Sequence, residues 1–467
     1  MTADENTSVE PPREVALDIP GDIPQNNKNY SIDPQEELIG TKKLDSAASS
    51  MSSMFEGQKI EGDESEHLSD ASPPSSTYKP PRFPTATVSG ICAVGIGACF
   101  GWALQKGTVY EPEVIIGQMN LTDMTMVKMF LMAVIFSTLS LSLLSLLKPT
   151  RPYFEHARRD GLCCKKGLPS TALGATILGV GMAIAGACPG TVYAQLGAGV
   201  PSSLLVLAGG LSAAAVFGLI QPYYKRFHTF LALPPQHSTL DTVIPLPSGY
   251  SIPFVLPSLL LAAMLLLISV AVELLFPWDM SQIGTSTPLS TFPGYWSAWP
   301  PQVAGVIIGL LQIPTVLLCG DTIGSSQSFM SLVSNALWLV IPKRVETWAP
   351  LRGFNAFRSG MAVLWQCLYV GGAILGALTA ALLGATWNSA RSVYPWWAFI
   401  GGFCIVMGAR MAGGCTSGHG LSGMGLLRID GMVAACCMFG GGIFVGVIMR
   451  FLQIPMFVGD PLIRNYL

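Results

Sequence analysis

The chain has 467 residues, of which only 12% are charged and 50% are hydrophobic, with 50 glycines and a mean hydropathy of +0.49. Soluble globular proteins carry about twice that charged fraction, so the composition excludes an ordinary soluble protein and indicates a polytopic helical membrane protein. The formal net charge of −2 hides an asymmetry, because residues 1–87 hold 7 Lys/Arg against 16 Asp/Glu and the rest of the chain is net positive.

The first segment, residues 1–85, is predicted to be a disordered, acidic, Ser/Pro-rich tail. A segment of this composition buries too little apolar surface to fold on its own. It also has neither the basic start nor the apolar centre of a cleavable signal peptide. Two roles stay open for it, a regulatory segment and a solubilising extension without a specific role.

Ten apolar segments follow, and we interpret them as helices that enter or cross a bilayer. They cover residues 86–104, 125–147, 171–187, 201–220, 253–276, 301–318, 329–342, 360–386, 395–412 and 431–452. A crossing helix needs roughly 20 apolar residues, and the third and seventh segments are short and adjoin Gly-rich or polar turns. Short, interrupted segments are typical of transport sites. The sequence therefore predicts an all-α polytopic membrane protein of about 9–10 helical spans, with re-entrant or broken half-helices around a central pathway.

The order of motifs in the first half recurs in the second. Four small residues of the first half match four of the second at a constant spacing of 227 positions: Gly181, Ala185, Gly186 and Cys188 with Gly408, Ala412, Gly413 and Cys415. A weaker match relates residues 104–109 to residues 311–316. We favour an internal duplication over chance similarity, with a first repeat at 86–230, a connecting span and loops at 231–300, a second repeat at 301–452 and a short C-terminal tail at 453–467.

The distribution of basic residues predicts which loops face the cytosol. Six basic residues follow the second apolar segment: Lys148, Arg151, Arg158, Arg159, Lys165 and Lys166. Four more follow the seventh: Lys343, Arg344, Arg352 and Arg358. The charge rule puts both groups inside, whereas a strict inverted repeat puts them on opposite sides. Re-entrant half-helices can change the parity, so the sequence leaves the topology open.

Each half contains one cysteine in a turn of small and polar residues, and these turns are the strongest functional signal in the chain. Cys188 precedes Pro189, Gly190 and Thr191, and the second turn, residues 413–420, contains Gly414, Cys415, Thr416 and Ser417. Glycines let the backbone approach closely, and hydroxyls, amide N–H groups and a helix start attract an anion. Packing of small residues between membrane helices is the alternative interpretation.

Three other residues near these turns have two interpretations each. Arg410 lies inside an apolar segment, where it either attracts an anion or pairs with Asp430 or Glu273. His419 is either a proton relay or a structural hydrogen-bonding group that closes the turn. Cys319 begins a polar interruption that is either a third element of the pathway or an ordinary loop.

The sequence contains no motif for enzymatic, metal or nucleotide chemistry. Zinc-site spacings, phosphate-binding loops, nucleophile elbows and dinucleotide fingerprints are all absent from it. We therefore predict that the protein is not an enzyme and has no catalytic residue, no metal ligand, no cofactor and no nucleic-acid partner.

Residues 408–423, GARMAGGCTSGHGLSG, closely resemble the signature of the YeeE/YedE sulfur-transport family. Residues 179–191 look like that family's first-half cysteine motif, and Leu104-Gln105-Lys106-Gly107 is similar to the motif at the end of its first helix. The resemblance spans most of residues 88–451 and leaves the acidic tail outside.

The resemblance implies uptake of thiosulfate or a related sulfur-containing anion through an hourglass-shaped helical protein. It assigns Cys188 and Cys415 as pathway thiols that pass the anion along by S–H···S contacts. Bacterial members often have a third cysteine where Tyr110 stands here, so Cys319 or another thiol substitutes for it or the relay differs. The implied setting is a multi-pass protein, by default of the plasma membrane, in contact with the lipid bilayer and with a cytosolic sulfur-accepting partner as an open option.

Two alternatives of other classes stay open. A membrane sulfur-transferase or redox protein would use a persulfide on Cys415, which requires an accessible thiolate. An inorganic-anion channel would use the cysteines only for packing.

Overall fold

The computed structural model describes residues 81, 83–162, 167–229, 239, 254–278, 298–341, 351, 354, 357 and 361–459. The predicted acidic tail lies outside the described residues except for its last few positions. Lys165, Lys166 and the basic residues Lys343, Arg344, Arg352 and Arg358 also lie outside them, as does most of the predicted C-terminal tail.

The described residues form fourteen helices and no strand. In chain order these are α1 Ala86–Lys106, α2 Pro112–Met119, α3 Thr125–Leu146, α4 Arg151–Leu162, α5 Leu168–Ala185, α6 Thr191–Gly197, α7 Ser203–Thr229, α8 Val255–Leu275, α9 Pro301–Cys319, α10 Ser326–Val340, α11 Met361–Leu383, α12 Pro395–Ala412, α13 Thr416–Gly423 and α14 Ile429–Phe451. The last turns of α9, Thr315–Cys319, and all of α13 have π-helical geometry.

Eight of these helices are long and apolar enough to cross a membrane, and the pair α12 and α13, bent by 45°, adds a ninth, broken span. The prediction of an all-α polytopic protein is confirmed. The seventh apolar segment, however, forms α10, which has only 15 residues and is too short to count as a span. On α8 the side chains of Leu260, Leu267 and Leu274 are 64%, 73% and 79% exposed at a spacing of seven residues, which gives this helix an apolar face for lipid.

The packing of the spans repeats between the two halves in inverted order. Helix α1 packs beside α11, and α9 packs in the same way beside α3. In the α1–α11 pair a Cβ atom on Gly97 would overlap Tyr369 and one on Gly101 would overlap Ala373, so the two helices run parallel. Close approach at small residues four positions apart is the usual contact between membrane helices. The duplication predicted from the sequence is therefore visible in the helix packing.

Helices α5 and α12 cross at the centre and run antiparallel. A Cβ atom on Gly174, near the start of α5, would overlap Ala412 at the end of α12, and one on Gly401 would overlap Ala185 at the end of α5. The two helices also cover corresponding residue ranges, since both bounds of α12 lie 227 positions after those of α5. The segments that follow α5 and α12 therefore start at opposite ends of this helix pair.

Contacts of α7 define one end of the helix bundle. Phe354 packs against Gly218 near the end of α7, and the Ser170 hydroxyl at the start of α5 lies 3.1 Å from the Tyr224 hydroxyl on α7. Phe354 thus lies at the same end as the start of α5 and α4, which we call the α4 end. Because α10 is too short to cross, the helix order makes α11 the counterpart of α3, and the topology predicted from the second group of basic residues stays open.

Candidate functional site

Both cysteine turns begin with a glycine that ends a central helix. Gly186 after α5 has φ +59° and Gly413 after α12 has φ +94°. This left-handed conformation is accessible to glycine at little cost and is a common way to end a helix. In each half the chain then leaves the helix, presents a cysteine two residues later and enters a short helix, α6 or α13.

The Cys188 side chain is buried in the first turn. Its backbone N–H donates to the Thr191 hydroxyl at 2.6 Å, and the Thr191 backbone N–H points at the Cys188 Sγ at 3.3 Å. Pro189 is buried between them. These contacts hold the sulfur at the start of α6, where amide N–H groups face it.

The Cys415 sulfur in the second turn is surrounded by hydrogen-bond donors. The Ser417 hydroxyl lies 3.2 Å and the Ser325 hydroxyl 3.6 Å from the Cys415 Sγ, and the backbone N–H groups of Ser325 and Gly418 also face this sulfur. Thr416 instead contacts the thioether sulfurs of Met438 and Met182, at 3.2 and 3.6 Å. Of the two hydroxyls predicted in this turn, therefore, only that of Ser417 reaches the thiol.

Ser325 connects the two turns. A Cβ atom added to Gly190 would lie 3.4 Å from the Ser325 hydroxyl oxygen, and the same hydroxyl contacts Cys415. The Cys188 and Cys415 sulfurs are also close enough for a charge on one to affect the other. The structure thus brings the cysteine turns together at the centre of the helix bundle. Ser325 belongs to the polar interruption that begins at Cys319, and its polar neighbours are its only signal in the sequence.

A cavity of about 610 Å³ leads from the α4 end toward Cys415. We call this cavity the vestibule. Its walls include Phe83, His156, Cys319, Asp321, Gln366, Arg410, Gly414, Gly418 and Arg428. A Cβ atom on Gly418 would lie 3.8 Å from the Cys415 Sγ, so the vestibule wall at Gly418 lies beside the buried thiol.

The vestibule contains both positive and negative side chains. The Arg410 guanidinium lies 5.8 Å from the ring of Phe217 and 5.2 Å from that of Phe357. Arg428 bonds Asp430, with 2.9 Å from its Nε to the carboxylate. Glu273, the other carboxylate considered for Arg410, is held at 2.9 Å by Lys128. Aromatic faces and a wet cavity are settings that a guanidinium tolerates at membrane depth.

The remaining predicted residues, His419, Cys319 and Gln105, make different kinds of contact. His419 packs its ring against Gly414 and lies 3.8 Å from the Asp430 carboxylate, which fits the structural interpretation, while a proton relay stays a prediction. Cys319 is half-buried in the vestibule wall. Gln105 donates its hydrogen bond to Thr386, at 2.5 Å, rather than to either cysteine turn.

The end opposite the vestibule contains a carboxyl group, that of Glu111, whose pKa is raised. Glu111 precedes α2, whose first residue, Pro112, packs against Gly186. Burial is the main cause that raises the pKa of Glu111 to about 7 from 4.5; a hydrogen bond with Tyr110 opposes the rise, and the charges of Glu113 and Asp123 add to it.

This shift predicts a pH dependence of stability. A carboxyl whose pKa is higher in the folded state stabilises the fold while it is protonated, so stability should fall as the pH rises from about 4.5 to 7. Glu111→Gln should remove that slope and raise stability at pH 8 by up to about 3 kcal/mol. Thermal unfolding in detergent at a series of pH values measures the effect. An unchanged slope in Glu111→Gln would contradict the prediction.

Within the described residues no group of three or more His, Cys, Asp or Glu side chains is placed to hold a metal ion. The centre offers a pair of buried thiols together with hydroxyls and amide N–H groups, and an arginine-containing vestibule lies beside the Cys415 turn. Such a set of donors can stabilise an anion at several weak, successive positions.

Comparison with known protein families gives one match. A family model described as "Sulphur transport" matches residues 106–444, which include both cysteine turns and every described helix between α2 and α13. A search of curated proteins gave no match.

Proposed function

Since the chain belongs to the sulphur transport family, YeeE/YedE, and is a multi-pass membrane protein, we propose that it takes up thiosulfate or a closely related sulfur anion. In this proposal the anion passes along an axis formed by Cys188 and Cys415. The family is one of transporters, which agrees with the expectation that the protein is not an enzyme. A plasma-membrane location and a cytosolic sulfur-accepting partner are parts of the same proposal.

One observation carries the proposal: the buried Cys415 thiol lies beside the wall of a vestibule that contains Arg410. The guanidinium of Arg410 attracts a doubly negative ion from solution. A thiol is a weak hydrogen-bond donor, so it can contact a soft terminal sulfur without holding it tightly. Conduction needs sites of this kind, which bind well enough to admit the ion and weakly enough to release it.

The two turns supply successive sites because they approach from opposite ends. The Cys188 turn follows α5 and the Cys415 turn follows α12, and these helices are antiparallel. An anion that leaves one thiol therefore meets the other before it reaches the opposite end. Tyr110, at the place of the third cysteine in bacterial relatives, offers a hydroxyl instead of a thiol.

The experiment that tests this function is uptake of radiolabelled thiosulfate into liposomes that contain the purified full chain. We expect saturable uptake that unlabelled thiosulfate abolishes and that sulfate or chloride inhibits at least about tenfold less well. Equal inhibition by chloride would instead support an inorganic-anion channel. Absence of uptake for every sulfur anion tried would overturn the proposal.

The donors around Cys415 also support a second candidate, a membrane sulfur-transferase. Two hydroxyls that can donate and two amide N–H groups surround this sulfur, and donors of this kind stabilise a thiolate when one forms. A thiolate there would attack the outer sulfur of thiosulfate, form a cysteine persulfide and release sulfite, which keeps the electron pair of the broken S–S bond. Mass spectrometry of the protein after incubation with thiosulfate decides between the two, because only the transferase gains a sulfur atom on Cys415.

A further inference from the structure

Helix α11 carries three buried polar side chains without a hydrogen-bond partner among the described residues. These are the indole N–H of Trp365, the amide oxygen of Gln366 and the hydroxyl of Tyr369. Trp365 and Tyr369 are each only 1% exposed. Buried polar groups in native proteins are almost always satisfied, and a donor left alone is costly. Two such donors one helical turn apart indicate that a ligand satisfies them.

One of the two donors adjoins the vestibule and the other lies near the thiols. Trp365 and Gln366 line the vestibule, and Tyr369 follows Trp365 by four residues, about 6 Å further along the helix. The ring of Tyr369 lies 5.9 Å from that of Trp365 and 5.4 Å from that of Phe100. The Tyr369 hydroxyl is close enough to the sulfurs of Cys188 and Cys415 for a charge on either sulfur to affect it.

Phe100 links this group to the first turn. A Cβ atom on Gly190, two residues after Cys188, would lie 3.4 Å from the ring of Phe100. Gln366 similarly borders the second turn, since its amide nitrogen would be 3.9 Å from a Cβ atom on Gly324, beside Gly418. The face of α11 that carries the three polar groups therefore adjoins both cysteine turns.

The chemistry of the donors identifies what they bind. An indole N–H can only donate and a phenol O–H can donate, so together the two groups fit an acceptor such as an oxyanion. Oxygen atoms suit these donors better than they suit a thiol. On the basis of the function proposed above, we infer that Trp365 and Tyr369 bind the sulfonate oxygens of the substrate while the cysteine thiols contact its terminal sulfur.

The substrate class follows from this division. An anion that fits both sets of groups has a soft sulfur at one end and an SO₃ group at the other. Sulfate offers only the oxygens and sulfide only the sulfur. The phenol and indole thus select the orientation as well as the identity of the ion.

Tyr369→Phe is the direct test, because it removes the hydroxyl and keeps the ring between Trp365 and Phe100. We expect the concentration of thiosulfate for half-maximal uptake to rise about tenfold, as for loss of one hydrogen bond to a charged group. The melting temperature of the protein without substrate should stay the same or rise, because the lost hydroxyl had no protein partner. Trp365→Phe should raise the same concentration by a similar factor.

Tyr193→Phe is the matched control. Its hydroxyl lies 2.8 Å from the Ser328 hydroxyl, and its ring lies 5.4 Å from that of Phe329, so this tyrosine is already satisfied within the protein. We expect the opposite pattern, a lower melting temperature with unchanged half-saturation. The Ser328 hydroxyl keeps its bond to the Ser325 carbonyl.

The outcomes separate the two proposals. Wild-type uptake with unchanged half-saturation in Tyr369→Phe overturns this inference and leaves the function standing. A lower melting temperature in Tyr369→Phe, with unchanged half-saturation, would show that a trapped water satisfies the hydroxyl, and also overturns it. If the wild type neither takes up any sulfur anion nor is stabilised by one, the proposed function falls, and this inference falls with it.

Discussion

Replacing Cys415 by alanine is expected to lower thiosulfate uptake about a hundredfold while the protein still inserts into the membrane. The change removes the sulfur that the Ser417 and Ser325 hydroxyls and the Gly418 amide contact, so the site loses its sulfur contact and these groups lose a partner. A hundredfold loss corresponds to about 3 kcal/mol at the slowest step of the crossing. Initial rates of uptake into liposomes, normalised to reconstituted protein, measure it.

The other cysteines provide the comparison. Cys188→Ala should have an effect of similar size, because its sulfur faces the Thr191 amide in the equivalent turn. Cys404→Ala should change little, since that half-buried thiol lies within α12 and away from the turn. Near-normal uptake in both Cys415→Ala and Cys188→Ala would refute the thiol pathway. Cys319→Ala shows whether the vestibule thiol takes part, and we expect a loss of less than about tenfold because its contact with the anion is at the wall.

Gly376→Ala is expected to disrupt assembly of the protein, with a loss of about 3 kcal/mol or more in folding free energy. A Cβ atom at this position would overlap the backbone carbonyl of Ala98, where α11 and α1 touch. Backbone atoms cannot turn aside as a flexible side chain can, so the two helices must separate. Thermal unfolding in detergent, together with the amount of protein recovered from membranes, measures the loss.

Gly371→Ala is the matched control on the same helix. A Cβ atom there has nothing within 4 Å, and alanine favours a helix over glycine by up to about 1 kcal/mol. We therefore expect equal or higher stability and normal uptake. Equal behaviour of the two variants would show that the close contact between α1 and α11 is not a determinant of the fold.

The crossing helices were predictable because their length and apolarity are properties of the local sequence. The segment predicted at 125–147 is the helix Thr125–Leu146, and the one at 395–412 is Pro395–Ala412. The paired glycines Gly186 and Gly413 also revealed the repeat, since a left-handed turn that ends a helix requires the same residue in both halves.

The short helices were not predicted. Pro112–Met119 and Thr191–Gly197 have eight and seven residues, too few for a hydropathy signal, and Arg151–Leu162 is polar along much of its length. Such helices form because the neighbouring spans pack against them, which local sequence does not encode.

The site was predictable only in part, and the missing residues share one cause. Ser325 is 90 positions from Cys415 in the chain, and Tyr369 lies in a helix whose apolar sequence suggests only a membrane span. Their importance depends on which helices meet at the centre. The cysteines were visible because each breaks the pattern of its own surroundings, whereas a tyrosine within a crossing helix does not.

The antiparallel crossing of α5 and α12 has a thermodynamic consequence. The turns that follow these helices offer one cysteine to each side of the proposed pathway, but neither turn supplies energy for transport. Entry of the proposed dianion into a cell at −100 mV requires about 4.6 kcal/mol of electrical work. Uncoupled entry would therefore depend on rapid consumption of the arriving sulfur.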